Sequence, residues 1–180
     1  LFLLLLCVQI SFAQKAEQPN NSYDLGATIN EMTLTVGGVL VVATNDGLVG
    51  INPETSTPTF TFNNFGKLTP EETIFVEESP YIIVSQGAGS KLAGIAKTKR
   101  AVINYITGQV IFNSDDDSWN QVYTCDIFLP DNKLVVSGIQ KVGTKAEKIT
   151  PKIAVYDLSS KKLDYSFFLD KPGRVGIAKD

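Results

Sequence analysis

From Ile29 to Phe168 apolar and polar positions alternate in short runs, and clusters of Gly, Pro, Asn, Asp and Ser interrupt them. A period of two marks half-buried strands, and no stretch of adequate length carries a helical spacing. Three runs are dense in β-branched residues: VLVVAT (39–44), YIIVSQ (81–86) and KLVVSG (133–138). These are the expected most buried strands. Each follows another strand candidate and a turn, within EMTLTVGG (31–38), ETIFVEESP (72–80) and TCDIFLPDN (124–132). The fold class read from this pattern is all-β.

A second element recurs downstream of each dense run. The segments LVGINPET (48–55), AVINYIT (101–107) and IAVYDLSS (153–160) each close an apolar strand with Asn or Asp, and Thr or Ser follows three residues later. The anchors Asn52, Asn104 and Asp157 stand 52 and 53 residues apart. An Asx side chain accepts hydrogen bonds from the backbone two residues on and so nucleates a turn. Thr55, Thr107 and Ser160 are placed to tie the loop from its other side. A further β-type run follows each turn: PTFTF (58–62), QVIFN (109–113) and LDYSFF (163–168). The repeat is therefore strand, tight turn, strand, variable loop, strand, Asx turn, strand. It is expected three times, over residues 29–62, 72–112 and 122–168, with the start of a fourth at 172–180. A four-strand repeat of about 50 residues predicts a β-propeller of about three blades, which is incomplete because closed propellers have about 4–8.

The run VVATNDGLVGINPETSTPTFTF (41–62) resembles the repeat of the quinoprotein-type (PQQ-like) β-propellers and the related YVTN and WD40-like repeats. Asn45, Asp46 and Gly47 match the first turn of that repeat. Asn52 with Thr55, Asn104 with Thr107 and Gly108, and Asp157 with Ser160 match the second. The resemblance covers most of residues 29–168 through short motifs, and the WD dipeptide is absent. Quinone-dependent dehydrogenases of this type use an axial cofactor stacked on an aromatic residue, often a vicinal disulfide, and acidic residues near calcium. This chain has one Trp and no vicinal cysteines. The resemblance thus implies architecture rather than the enzyme.

The first thirteen residues, LFLLLLCVQISFA, are uncharged and almost wholly apolar. That is shorter than the roughly 20 residues a membrane span needs. Ser11 and Ala13 are small residues before a cut at Gln14, the pattern of a secretory signal peptide. The expected organisation is signal peptide 1–13, polar leader 14–28 and propeller segment 29–180. The absence of an initiator Met and a basic leader predicts a chain clipped at its start. Beyond the signal peptide one cysteine remains, Cys125, within the apolar alternation of VYTCDIFL (122–129). It is expected as a buried small hydrophobe.

The propeller expectation places Asn45–Gly47 and residues 63–71, 86–99, 113–121, 140–151 and 169–174 on one face. Long loops on a rigid scaffold are where binding usually resides. The expected ligand-binding residues there are Lys91, Lys97, Lys99, Trp119, Asn120, Lys141 and Lys145, although the preferred reading of Trp119 is a side chain packed between blades rather than a ligand-stacking platform. Lys148 and Lys152 extend the same lysine-rich surface, which can attract an anionic partner. No aromatic residues interleave with these lysines, so nucleic acid is not an expected partner. In NSDDDSWNQ (113–121), Asn113, Asp115 and Asp117 have alternate oxygen-ligand spacing, a weak calcium pattern without the Gly and Glu of an EF-hand loop. No other cofactor is expected. With no histidine in the chain, Ser–His and Cys–His catalysis is excluded.

These readings predict a non-catalytic, exported propeller segment, acting as a binding or display scaffold for a protein or glycan at the bacterial cell surface or in the periplasm. Its first partners would be the remaining blades of the same polypeptide. The rival reading is a fragment of a propeller enzyme, a quinone-dependent dehydrogenase or a hydrolase, whose active site lies in other blades.

Overall fold

The computed structural model describes residues 22–87, 98–116, 119–142 and 148–171. These form twelve strands in three antiparallel sheets of four, each in sequential order. The first sheet comprises β1 (Ile29–Leu34), β2 (Leu40–Thr44), β3 (Gly47–Asn52) and β4 (Thr57–Phe62). The second comprises β5 (Thr73–Phe75), β6 (Tyr81–Gln86), β7 (Lys99–Asn104) and β8 (Gln109–Asn113). The third comprises β9 (Trp119–Phe128), β10 (Lys133–Val142), β11 (Lys148–Asp157) and β12 (Leu163–Phe168). One short 3-10 turn, Pro70–Glu72, is the only helical element among the described residues.

The sheets pack face to face in chain order. Val41, Ala43, Leu48, Phe60 and Phe62 of the first meet Ile82, Val84, Ala101 and Ile103 of the second in one apolar core. Tyr81, Ile83, Val102 and Phe112 of the second meet Val122, Cys125, Leu134, Val136, Ala154 and Tyr156 of the third in another. Successive side chains of a strand point to opposite faces. That is why the dense run at β6 is apolar at every position from Tyr81 to Val84: both faces of the second sheet are covered. Where only one neighbour is present, the other face carries exposed apolar residues. Met32 lies opposite Val42 in the first sheet, and Tyr165 opposite Val155 in the third.

Two predicted loops are shorter than the sequence suggests. The segment 113–121 is expected as a loop, yet β9 starts at Trp119, so the third unit begins three residues earlier than predicted. The segment 140–151 is mostly strand, because β10 and β11 pair without interruption from Lys133↔Asp157 to Val142↔Lys148. A hairpin that runs past the body of its sheet needs no apolar face there, so lysine-rich composition does not end the strands.

Candidate functional site

Antiparallel order within each sheet sends its connections to two ends. The Asx hairpins and the β1–β2, β5–β6 and β9–β10 turns lie at one end. The β2–β3 and β4–β5 connections lie at the other, the expected binding face, together with the C-terminal ends of β6, β8 and β10 and the N-terminal ends of β7, β9 and β11.

The hairpin end is built by repeated local chemistry. Asn52 Oδ1 accepts the N–H groups of Glu54 and Thr55 at 2.9 and 3.3 Å. Asn104 Oδ1 accepts those of Ile106 and Thr107 at 3.0 and 3.1 Å. Asp157 Oδ1 accepts the Ser160 N–H at 2.7 Å. The hydroxyls of Thr55 and Thr107 reach onward, to the Thr57 hydroxyl and from the Gln109 N–H respectively. In every hairpin the fourth residue after the anchor has positive φ: Ser56 at 54°, Gly108 at 71° and Lys161 at 59°. Asp157 differs from its two counterparts in bearing charge. The Ser160 backbone N–H and hydroxyl, then Lys133, hold its carboxyl well below the usual carboxylate range.

At the loop end the β2–β3 turn is pinned by Thr44, whose hydroxyl donates to Gly47 O at 3.1 Å and accepts the Asp46 N–H at 3.1 Å. Gly47 has φ of 138°, and a Cβ there would stand 2.1 Å from the carbonyl oxygen of Phe62, so only glycine fits. Beside this turn a cleft of about 250 Å³ opens between Tyr23 and Leu25 on one wall and Asp46, Val49 and Asn63 on the other. The β4–β5 connection is held by buried Glu72. One carboxylate oxygen accepts the Thr69 N–H at 3.0 Å, and the other accepts the Gly87 N–H at 2.6 Å. This single carboxylate joins two loops of the expected face, a role the sequence pattern does not signal because its partners are backbone groups far apart in the chain.

The predicted binding residues separate. Lys99 Nζ pairs with Asp115 Oδ2 at 2.6 Å and lies 5.5 Å from the Phe65 ring centroid. Trp119 packs between the second and third sheets, the preferred of its two readings, and is not a surface platform. It is 2% exposed, stacks edge-on against Phe112 in the second core, and is covered by Lys152 Nζ at 5.2 Å. Asn120 follows it in β9, half-buried. Lys141 lies in β10 rather than in a loop, for the pairing reason given above. Lys91, Lys97 and Lys145 lie outside the described residues, as do residues 1–13, expected as a signal peptide, and residues 172–180, expected as the start of a fourth unit. Of the calcium pattern, Asn113 Oδ1 accepts the Asp115 N–H at 3.1 Å and Asp115 carries the Lys99 ion pair. Asp117 lies outside the described residues.

Cys125 is buried in the second core. Burial pushes its thiol up to about 12, only partly offset by the Arg100 guanidinium. It is held as thiol rather than nucleophilic thiolate. Arg100 itself donates to the Tyr123 carbonyl at 3.1 Å and so straps the second sheet to the third near the loop end. Among the described residues no helix is long and apolar enough to cross a membrane.

No known protein-family model matches this chain, and no curated protein matches it.

Proposed function

We propose that the chain is an exported β-propeller segment that serves as a non-catalytic binding or display scaffold at the bacterial cell surface or in the periplasm. The observation that carries this reading is the serial stacking of three four-stranded antiparallel sheets, each face-packed on the next through its own apolar core. Radial blades have this arrangement, and a propeller presents its loops at two ends of a rigid body. The exposed faces bearing Met32 on the first sheet and Tyr165 and Phe167 on the third support further blades as neighbours. Groups with displaced acidity serve structure: Asp157 holds a hairpin and Cys125 fills a core. The ligand end is the loop end, and its cleft between Tyr23 and Asp46 is the entry point for a protein or glycan.

Two experiments test the reading. Expressed in a bacterium with an initiator methionine supplied, the exported protein should begin at Gln14, and intact mass showing retained residues 1–13 refutes export. Labelled protein should bind members of a glycan and envelope-protein panel, and the Tyr23→Ala/Asp46→Asn variant should lose that binding while keeping its melting temperature. Dye-linked oxidation of alcohols or sugars by the chain in the presence of pyrroloquinoline quinone and calcium would replace the scaffold with the enzyme reading.

A further inference from the structure

A second cleft, of about 240 Å³, lies at the opposite end, between the β1–β2 turn of the first sheet and the β5–β6 turn of the second. Its walls are apolar: Leu34 and Val36 on one side, Phe75, Val76 and Tyr105 on the other. Glu77 and Glu78 form one rim, and none of the lining residues is basic. Val36 is 94% exposed, while the 64% exposure of Leu34 belongs to the face of β1 that it shares with Met32. Both carboxylates are exposed and have no ion-pair or hydrogen-bond partner among the described residues.

The cleft is preformed. Thr35 exchanges hydrogen bonds with Val39 through backbone and hydroxyl at 2.9 and 3.1 Å, which fixes the turn that holds Val36 outward. The facing turn is fixed by the Ser79 hydroxyl, which donates to the Val76 carbonyl at 2.9 Å and accepts the Tyr81 N–H. Tyr105 Oη donates to the Ser79 carbonyl at 3.1 Å and so spends its only polar atom inside the wall. The first turn sits close on that ring, since a Cβ on Gly37 would lie 2.9 Å from it. Val36, held in solvent by a hydrogen-bonded turn, cannot withdraw by local collapse, so the surface remains available to a partner.

Two features define the occupant. The unpaired carboxylates beside apolar walls are complementary to a cation carried on an apolar body. The walls also include the ends of β1 and β5, which are both edge strands, each paired on one side only. Edge strands offer free backbone groups to an extended chain. We propose that this cleft binds an extended peptide segment in which a Lys or Arg lies beside a bulky apolar side chain. Apolar walls take the bulky group, and Glu77 and Glu78 take the cation. The proposal concerns the hairpin end and stands whether or not the loop end binds a ligand.

Amide-resolved NMR on the full chain tests it, with acetyl-Leu-Lys-Leu-amide as probe and acetyl-Leu-Glu-Leu-amide as its charge-reversed control. The cationic peptide should produce saturable shifts at Leu34, Val36, Val76 and Tyr105, and the acidic peptide should not. In the Glu77→Gln/Glu78→Gln variant, which keeps side-chain size, affinity should fall about threefold to tenfold, as it should on raising salt. The Tyr23→Ala/Asp46→Asn variant should bind the probe like the wild type, which separates this site from the loop end. Equal shifts with both peptides, binding unchanged in the glutamine variant, or shifts confined to other residues would overturn the proposal. So would line broadening at Leu34 and Val36 that grows with protein concentration without peptide, because a second copy would then be the occupant.

Discussion

Lys133 Nζ stands 3.1 Å from Asp157 Oδ2 across the register pair that joins β10 to β11, and 2.7 Å from Asp164 Oδ2. One ammonium thus ties the anchor of the third hairpin to the strand that follows it. Asp157 is held below its ordinary value of 3.8, chiefly by Ser160 and then by Lys133. Lys133 is held above its ordinary 10.5, chiefly by Asp164 and then by Asp157. A depressed acid stabilises the fold above its unfolded value and loses that contribution as pH falls. A raised base stabilises it below its unfolded value and loses that contribution as pH rises. Urea midpoints should therefore hold level between about pH 4 and 10 and decline on both sides as far as this cluster is concerned. The Asp157→Asn variant keeps an acceptor for Ser160, as Asn52 and Asn104 do in the other hairpins. Its acid limb should be flatter than the wild type's, and an unchanged acid limb would remove Asp157 from the account.

The two uncharged anchors provide a second test. Asn52→Ala and Asn104→Ala each leave two turn N–H groups without their side-chain acceptor. The turns are exposed, so water replaces part of the loss, and each variant should lose about 0.5–1.5 kcal/mol. Asn→Asp at the same sites keeps the acceptor and should lose less. Equilibrium denaturation of the four variants compares these effects, and equal losses for Ala and Asp would exclude the hydrogen-bond explanation.

The fourth residue of each hairpin makes a prediction of opposite sign. Ser56 and Lys161 carry side chains at φ of 54° and 59°, where glycine is at ease. Ser56→Gly and Lys161→Gly should each raise stability by about 0.5–1 kcal/mol. Gly108→Ala should lower it by more, because its Cβ would lie 2.8 Å from Phe60 Cβ and 2.9 Å from the Thr59 carbonyl oxygen. Thermal melts of the three variants should place Gly108→Ala below the wild type and the other two above it.

Neighbouring isoleucines of β6 should be equally sensitive for different reasons. Ile82 is buried between the first and second sheets and Ile83 between the second and third. Each truncation to Ala should cost about 2–5 kcal/mol. Ile74 on β5 is 48% exposed, and its truncation should change stability by about 0.5 kcal/mol or less. A mild effect at either β6 position would show that the corresponding core is loosely packed.

Much of this was legible in the residues because it is local. The alternation around β2, β6 and β10 and the Asx anchors at Asn52, Asn104 and Asp157 carry their signal within a few positions. The all-β class and the three four-strand units follow from them. The start of β9 at Trp119 was hidden by the charged run before it, and the length of the β10–β11 hairpin by lysines that need no core. Nothing local announces positive φ at Ser56 or Lys161, since only Gly108 occupies that place with the residue type that suggests it. The Glu72 clasp and the cleft at Val36 and Tyr105 depend on segments brought together by sheet stacking, which no single run encodes. Trp119, the one tryptophan, sits where the preferred reading of it puts it, packed between two sheets.

The two faces of the second sheet are not alike. Toward the first sheet it presents Ile82, Val84, Ala101 and Ile103; toward the third it presents Tyr81, Ile83, Val102 and Phe112. Copying the genetic stretch for this sheet and inserting it beside itself would set the ring-bearing face against the aliphatic one, a pairing neither has been selected to make. Lineages that lengthen or shorten such an array must alter facing positions together, so related chains should show paired substitutions between adjacent units while their hairpin anchors stay the same.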